Sequence, residues 1–151
     1  MSTRGRRTNI EQGQAAVEFA LVLPLLLVLL VGIIEFGRAW NEHQVITEAA
    51  RAAARKAAVY DPSVTRDSVV RTAAATMLAS GIDTTGLPSG WIDPDGPGGS
   101  KAEGGWDGDP NTPVTVNIDL PYTFTFFGPL VNWATGQSTI TLRTSVTMRN
   151  E

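Results

Sequence analysis

The chain has no cysteine among its 151 residues and a single histidine, His43. Without thiols there is no disulfide, no thiolate zinc site and no cysteine nucleophile. A serine-based triad would have to use His43 itself as its base. No set of nucleophile, base and orienting group can be assembled around that residue, so the expectation is a protein that is not an enzyme and has no cofactor. Aromatic residues make up only 7%, and the formal charge of -3 comes, past the short N-terminal tail, with no basic cluster beyond Arg55-Lys56. The electrostatic footprint of a nucleic-acid partner is therefore missing. Asp93-Pro94-Asp95-Gly96 and Asp107-Gly108-Asp109 have the spacing of a calcium loop. The later ligands and the closing glutamate of such a loop are absent, so these residues are read as turn formers and no metal is expected.

What the chain does have is one long apolar run. Phe19 to Ile34 carries no charge, with Pro24 and Gly32 as its only poor helix formers. Gln14 to Ile34 is 21 residues, and as an α-helix it would extend about 31 Å at 1.5 Å per residue. A hydrocarbon core is about 30 Å thick, and a single chain segment can cross it only as a helix, because lipid offers the backbone no hydrogen bonds. A membrane-spanning helix is expected. A cleaved secretory signal fits poorly, since Glu35-Phe36-Gly37-Arg38-Ala39-Trp40 is too bulky and charged for the small-residue site that should follow. Arg4, Arg6 and Arg7 precede the span, whereas Arg38, Arg51 and Arg55 follow it. The dense basic tail favours an N-terminus in the cytoplasm. Trp40 suits the interfacial depth on the far side.

Beyond the span the helical pattern continues. Ile46, Ala49, Ala50, Ala53, Ala57 and Tyr60 recur at three- and four-residue spacing, a stripe of mostly alanine that lets a partner approach closely. Glu48 and Arg51 are placed to pair on the wet side. Asp61-Pro62 reads as the end of this helix and the cap of a second. That second helix has Val69, Ala73 and Met77 on its apolar face and Gly81 at its close. Residues 81–113 are rich in Gly, Pro and Asp and read as a long acidic loop, which Trp91 and Trp106 either pin to the body or expose to a partner.

Val114, Val116, Ile118 and Leu120 then alternate with polar residues, and Tyr122, Phe124 and Phe126 keep the same parity. Ile140, Leu142, Val146 and Met148 do likewise. These are half-buried antiparallel strands that need cover, and the alanine stripe supplies it. The expected fold is therefore α+β: a single-pass membrane protein whose long N-terminal transmembrane helix continues into a soluble domain of a second helix and a small antiparallel sheet. The segments are 1–13, 14–35 (transmembrane helix), 36–80 (helical region), 81–113 (acidic loop) and 114–151 (antiparallel β region).

One residue does not suit a plain anchor. Glu18 lies inside the apolar run, where insertion of a charge costs up to about 2.5–3.5 kcal/mol and marks a functional candidate. It is the fifth residue after Gly13, and Gly13 is the last residue before the run. A cut after Gly13 would create a new ammonium at Gln14, close to the membrane surface, able to pair with the Glu18 carboxylate of a neighbouring helix. Glu35 sits where the helix should leave the lipid, at little cost. Pro24 leaves the Ala20 carbonyl without its helical donor and is a candidate kink.

Gly13, Glu18, the small residues between them and "FALVLPLLLVLLVGIIEFGRA" together resemble the TadE-like family, pseudopilins of the tight-adherence (Flp, type IVb) pilus system. The closing "STITLRTSVTMRNE" is similar to the end of such chains; the middle loop carries none of the resemblance. The resemblance implies a pilin-like subunit of a pilus or related secretion apparatus in the bacterial inner membrane. It implies a cytoplasmic leader at 1–13, cleavage by a prepilin peptidase between Gly13 and Gln14, and Glu18 as the carboxylate used in processing or assembly. Its partners would be the peptidase, other pilins and pseudopilins, and the pilus-assembly platform. Many type IV pilins begin with a bulky apolar residue after the cut; this chain begins with Gln14. A different class of function is a single-pass anchored binding protein whose acidic loop and tryptophans meet an extracytoplasmic ligand.

Overall fold

A computed structural model describes residues 4–59, 61, 63–95 and 113–149. The element order is α1 (Arg4–Ala57), α2 (Arg66–Ala79), β1 (Ile92–Asp95), β2 (Pro113–Thr123), α3 (Gly128–Thr135) and β3 (Thr139–Arg149). The chain divides into two units, Met1–Gly37 and Arg38–Glu151.

The first unit is the N-terminal part of α1. From Val17 to Ile34 its large apolar side chains are exposed in every direction around the helix, Leu21 by 76% and Leu25 by 69%. A helix that is apolar all round has no dry side and wet side to distinguish, and needs an apolar surrounding. α1 holds a candidate membrane span near the N-terminus, and none of its most apolar stretch is buried within the protein. Pro24 lies inside α1 without ending it.

The second unit is an antiparallel sheet covered on one face by helices, so the chain is α+β with a candidate span, as its sequence indicates. The strands run in the order β1-β2-β3. Ile92 faces Ile118 across β1 and β2, and Val116 faces Val146 across β2 and β3. On β2 the alternation holds from Val114 to Tyr122: every second side chain is buried and those between are not. The buried set packs with Ile46, Ala49, Ala50, Ala53, Ala54 and Ala57 of α1 and with Val64, Val69, Ala73 and Met77 on and before α2. The alanine stripe is the lid over the sheet, and small side chains let the helix backbone lie close to the strands. Tyr60, the last member of the expected stripe, lies outside the described residues.

On β3 the inward face is interrupted by Thr144, opposite Ile118. Its hydroxyl lies 3.3 Å from that of Thr47 on α1. The Thr47 hydroxyl already donates to the His43 carbonyl at 2.8 Å, so Thr144 is the donor to Thr47. This satisfies two partly buried hydroxyls at once. The outer face is polar, with the cross-strand neighbours Thr115 and Thr147 in hydroxyl contact at 2.9 Å and Asp119 paired with Arg143 at 3.3 Å.

Several boundaries differ from the sequence expectation. The second helix is capped by Thr65, not by Asp61: Ser68 N–H donates to Thr65 Oγ1, and Thr65 N–H donates to Ser68 Oγ. Asp61 instead closes the preceding turn by accepting from the Ser63 N–H at 2.8 Å, a contact that holds its carboxyl below the usual carboxylate range. Pro62 lies outside the described residues. The close at Gly81 is as expected, with φ of 86°, and its N–H bonds to the Leu78 carbonyl while that of Ile82 bonds to Met77. This pair of bonds is the Schellman arrangement, for which a glycine at the left-handed position is favoured.

The expected acidic loop contains β1. Asp93 and Pro94 are strand residues, and Pro94 is tolerated because β1 is an edge strand. Asp93 pairs with Arg66 of α2 at 3.2 Å. Likewise, β2 ends at Thr123, so the parity does not carry on through Phe126, which is 61% exposed. Residues 128–135 form α3, with Pro129 in its first turn and Gly136 in the left-handed conformation at its end, φ 74°. Among the described residues no ion pair joins Glu48 to Arg51.

Candidate functional site on the N-terminal helix

Gly13, Gln14 and Glu18 all lie on α1, and all three are exposed. A Cβ added at Gly13 would meet nothing within 4 Å. The glycine is therefore not required by packing inside this chain. Gly13 is also the weakest helix former in its neighbourhood, about 1 kcal/mol worse than alanine. Opening the helix at that point, as any enzyme acting on its backbone must, costs least there.

Gln14 and Glu18 are four residues apart and so share one face of α1, about one turn from each other. Glu18 is exposed on a segment whose other exposed side chains are apolar, Val17 at 63% and Phe19 at 61%. Among the described residues, none pairs with its carboxylate. A carboxylate so placed in lipid needs a cationic or hydrogen-bonding partner from outside the chain.

Glu35 behaves in the opposite way. It is only 2% exposed, the one buried charged side chain among the described residues, and it is engaged in a polar interaction. The sequence suggested a carboxylate standing at a boundary at little cost; the structure shows one taken out of solvent, where partners are obligatory. Trp40 is 57% exposed, and its ring stacks on His43 with centroids 6.3 Å apart. Arg38, the first residue of the second unit, donates from its guanidinium to the Thr125 hydroxyl just past the end of β2. That contact joins residues 87 positions apart. Sequence spacing carries no signal for it.

No group of three or more His, Asp or Glu side chains able to hold a metal occurs among the described residues. Trp91 packs against the core and so fastens the start of the acidic segment to the body. Trp106 and the Asp107–Asp109 pair lie outside the described residues.

Residues 13–55 match the family model described as TadE-like protein. The matched segment begins at Gly13, includes Glu18 and the whole apolar run, and ends on the alanine stripe. The match supports the resemblance over that segment. No curated protein and no solved structure gives a significant match to the chain.

Proposed function

We propose that the chain is a pseudopilin: a non-catalytic structural subunit of a tight-adherence (type IVb) pilus or a related secretion apparatus. It sits in the bacterial inner membrane with its N-terminus in the cytoplasm and its second unit outside. A prepilin peptidase removes residues 1–13, leaving Gln14 at the start of the mature chain. Its further partners are other pilins or pseudopilins and the assembly platform.

The observation that carries this reading is Glu18, exposed on an all-round apolar helix with no described partner of its own. Once residues 1–13 are gone, the ammonium at Gln14 supplies the missing cation. Pairing between the ammonium of one subunit and the carboxylate of the next offsets the cost of placing each in a low-dielectric setting and fixes the axial register of the stack. Pairing of an ammonium with the Glu18 of its own chain, one turn away, is the competing state. The match over residues 13–55, beginning at the proposed cleavage residue, supports the same assignment.

Co-expression with a prepilin peptidase tests it. Intact-mass measurement is expected to show a chain lacking its first 13 residues, and Gly13→Leu to abolish the cut. A full-length mass under active peptidase, or trimming indifferent to residue 13, would overturn the assignment.

A further inference from the structure

The connection between β2 and β3 has features that the pseudopilin role does not use. From Leu120 to Leu142 the sequence has 23 residues without a charged side chain or histidine. Within the second unit, the large apolar side chains that stand exposed among the described residues are Trp40, Val59, Leu78, Phe126, Trp133 and Ile140. Val59 and Leu78 are single exposures of the kind any soluble domain shows. Three of the six lie between Phe126 and Ile140, and Trp133 is the most exposed of all at 84%. α3, which carries Trp133, has no acidic residue in its first turn and no basic residue in its last. An uncharged segment that shows a tryptophan and a phenylalanine outward is a poor water-facing loop.

The position of this connection in the fold indicates what covers it. Thr125, beside Phe126, accepts a hydrogen bond from Arg38. Arg38 follows Ile34, the last residue of the apolar run, by four positions. Four residues reach at most about 14 Å even when fully extended. At whatever angle the second unit stands, Arg38 and the segment bonded to it thus stay close to the point where the chain leaves the lipid. Phe126, next to Thr125, and Trp133, on the α3 that follows, are side chains of the kind favoured by the headgroup region, the ring buried among acyl carbons and the indole N–H left to water or ester oxygens.

We propose that the β2–β3 connection, through Phe126, Trp133 and Ile140, is a membrane contact of the folded unit, additional to the apolar run. The contact is made with the interfacial region of the bilayer and does not depend on anionic headgroups, because the segment brings no basic residue to them. The proposal rests on insertion of the apolar run, but not on cleavage at Gly13 or on assembly.

The test uses the full chain in lipid vesicles, with Trp40, Trp91 and Trp106 replaced by phenylalanine so that Trp133 alone reports. Lipids brominated on the upper acyl chain place a quencher at the depth of about 5–10 Å that an interfacial apolar face reaches. Trp133 emission should be shifted to the blue and strongly quenched by these lipids, equally at low and high protein density and in zwitterionic and anionic vesicles. Adding Phe126→Ser, an exposed substitution, should weaken the quenching while circular dichroism stays unchanged. Emission at the water-exposed wavelength with no quenching would overturn the proposal. So would protection that appears only at high protein density, which would assign the surface to a second copy of the chain. Resistance to alkaline carbonate extraction, measured on the same vesicles, separates the two failures. An extractable chain refutes membrane insertion itself, whereas a retained chain with unquenched Trp133 refutes only the second contact.

Discussion

The two parts of α1 have opposite relations to their surroundings. From Val17 to Ile34 apolar side chains stand exposed on all sides, while from Ile46 to Ala57 a single stripe of isoleucine and alanines is wholly buried and the opposite face is polar. The first pattern suits a solvent that is apolar in every direction; the second suits a helix with a sheet on one side and water on the other. Two carboxylates of the first unit differ in the same way. Glu18 is exposed with no described partner, whereas Glu35 is buried and engaged. A helix that finishes its own packing shows what its neighbours are not needed for. What is left unfinished, the apolar surface and Glu18, is what the proposed lipid and subunit contacts would complete.

The sharpest way to break this comparison is to remove the same amount of side chain from each environment. Met77→Ala leaves a cavity in the core that α2 shares with the alanine stripe and the sheet, and should cost the second unit about 2–5 kcal/mol of unfolding free energy. Leu26→Ala, in the apolar segment, should leave the thermal unfolding of the second unit unmoved and the chain still in the membrane. Denaturation of both variants in the same detergent checks the pair, and equal losses would mean that the first unit is packed against protein.

A smaller effect concerns the turns that position α2 and the approach to β1. Ser63 lowers the pKa of Asp61 chiefly through its backbone N–H, and Thr85 lowers that of Asp83 first through its side chain and then through its backbone. The Thr85 N–H and hydroxyl reach the Asp83 carboxylate at 2.8 and 2.7 Å. Both groups have folded-state values below the unfolded one, so their contribution is present above the ordinary carboxylate range and fades as pH falls below about 4 towards the folded values. Asp83 is exposed and Asp61 only partly buried, so solvent screening keeps the effect on stability small. Thermal scans from neutral pH to pH 3 should show a downward slope that the double variant Asp61→Asn, Asp83→Asn flattens. An unaltered slope would place the acid sensitivity elsewhere.

Much of this architecture is legible in the sequence because it is periodic. The alanine stripe at three- and four-residue spacing and the two-residue alternation from Val114 to Tyr122 each pick out one buried face. Gly81 is legible for a different reason, since the left-handed close of a helix has few alternatives. What escaped depends on contacts made across the fold. Two aspartates and a proline give β1 little strand propensity, and it becomes a strand only by pairing with β2. Asp61-Pro62 is a sound cap by composition, yet the reciprocal bonds of Thr65 and Ser68 place the start four residues later. The parity of Tyr122, Phe124 and Phe126 suggested a strand running on, but Gly128-Pro129 opens α3 instead, and the glycine at 136 that closes it was the overlooked signal. For the candidate site the sequence supplied Gly13 and Glu18, and their exposure came from the structure. The burial of Glu35 and the bond from Arg38 to Thr125 have no counterpart in local pattern.

The most direct test of the central claim, that the first unit is completed by other subunits, is recovery of Glu18→Ala from an assembled apparatus. Cells producing the variant with prepilin peptidase and its partner subunits are sheared, and the chain is quantified in the fibre fraction and in the membrane. The variant should be cut after Gly13 like the parent and remain in the membrane at the parental level. Its recovery with the other subunits should fall by about tenfold, which corresponds to roughly 1.4 kcal/mol lost from one charge-assisted contact. Recovery equal to that of the parent, with cleavage intact, would contradict the claim and leave Glu18 as a carboxylate that reaches no neighbour.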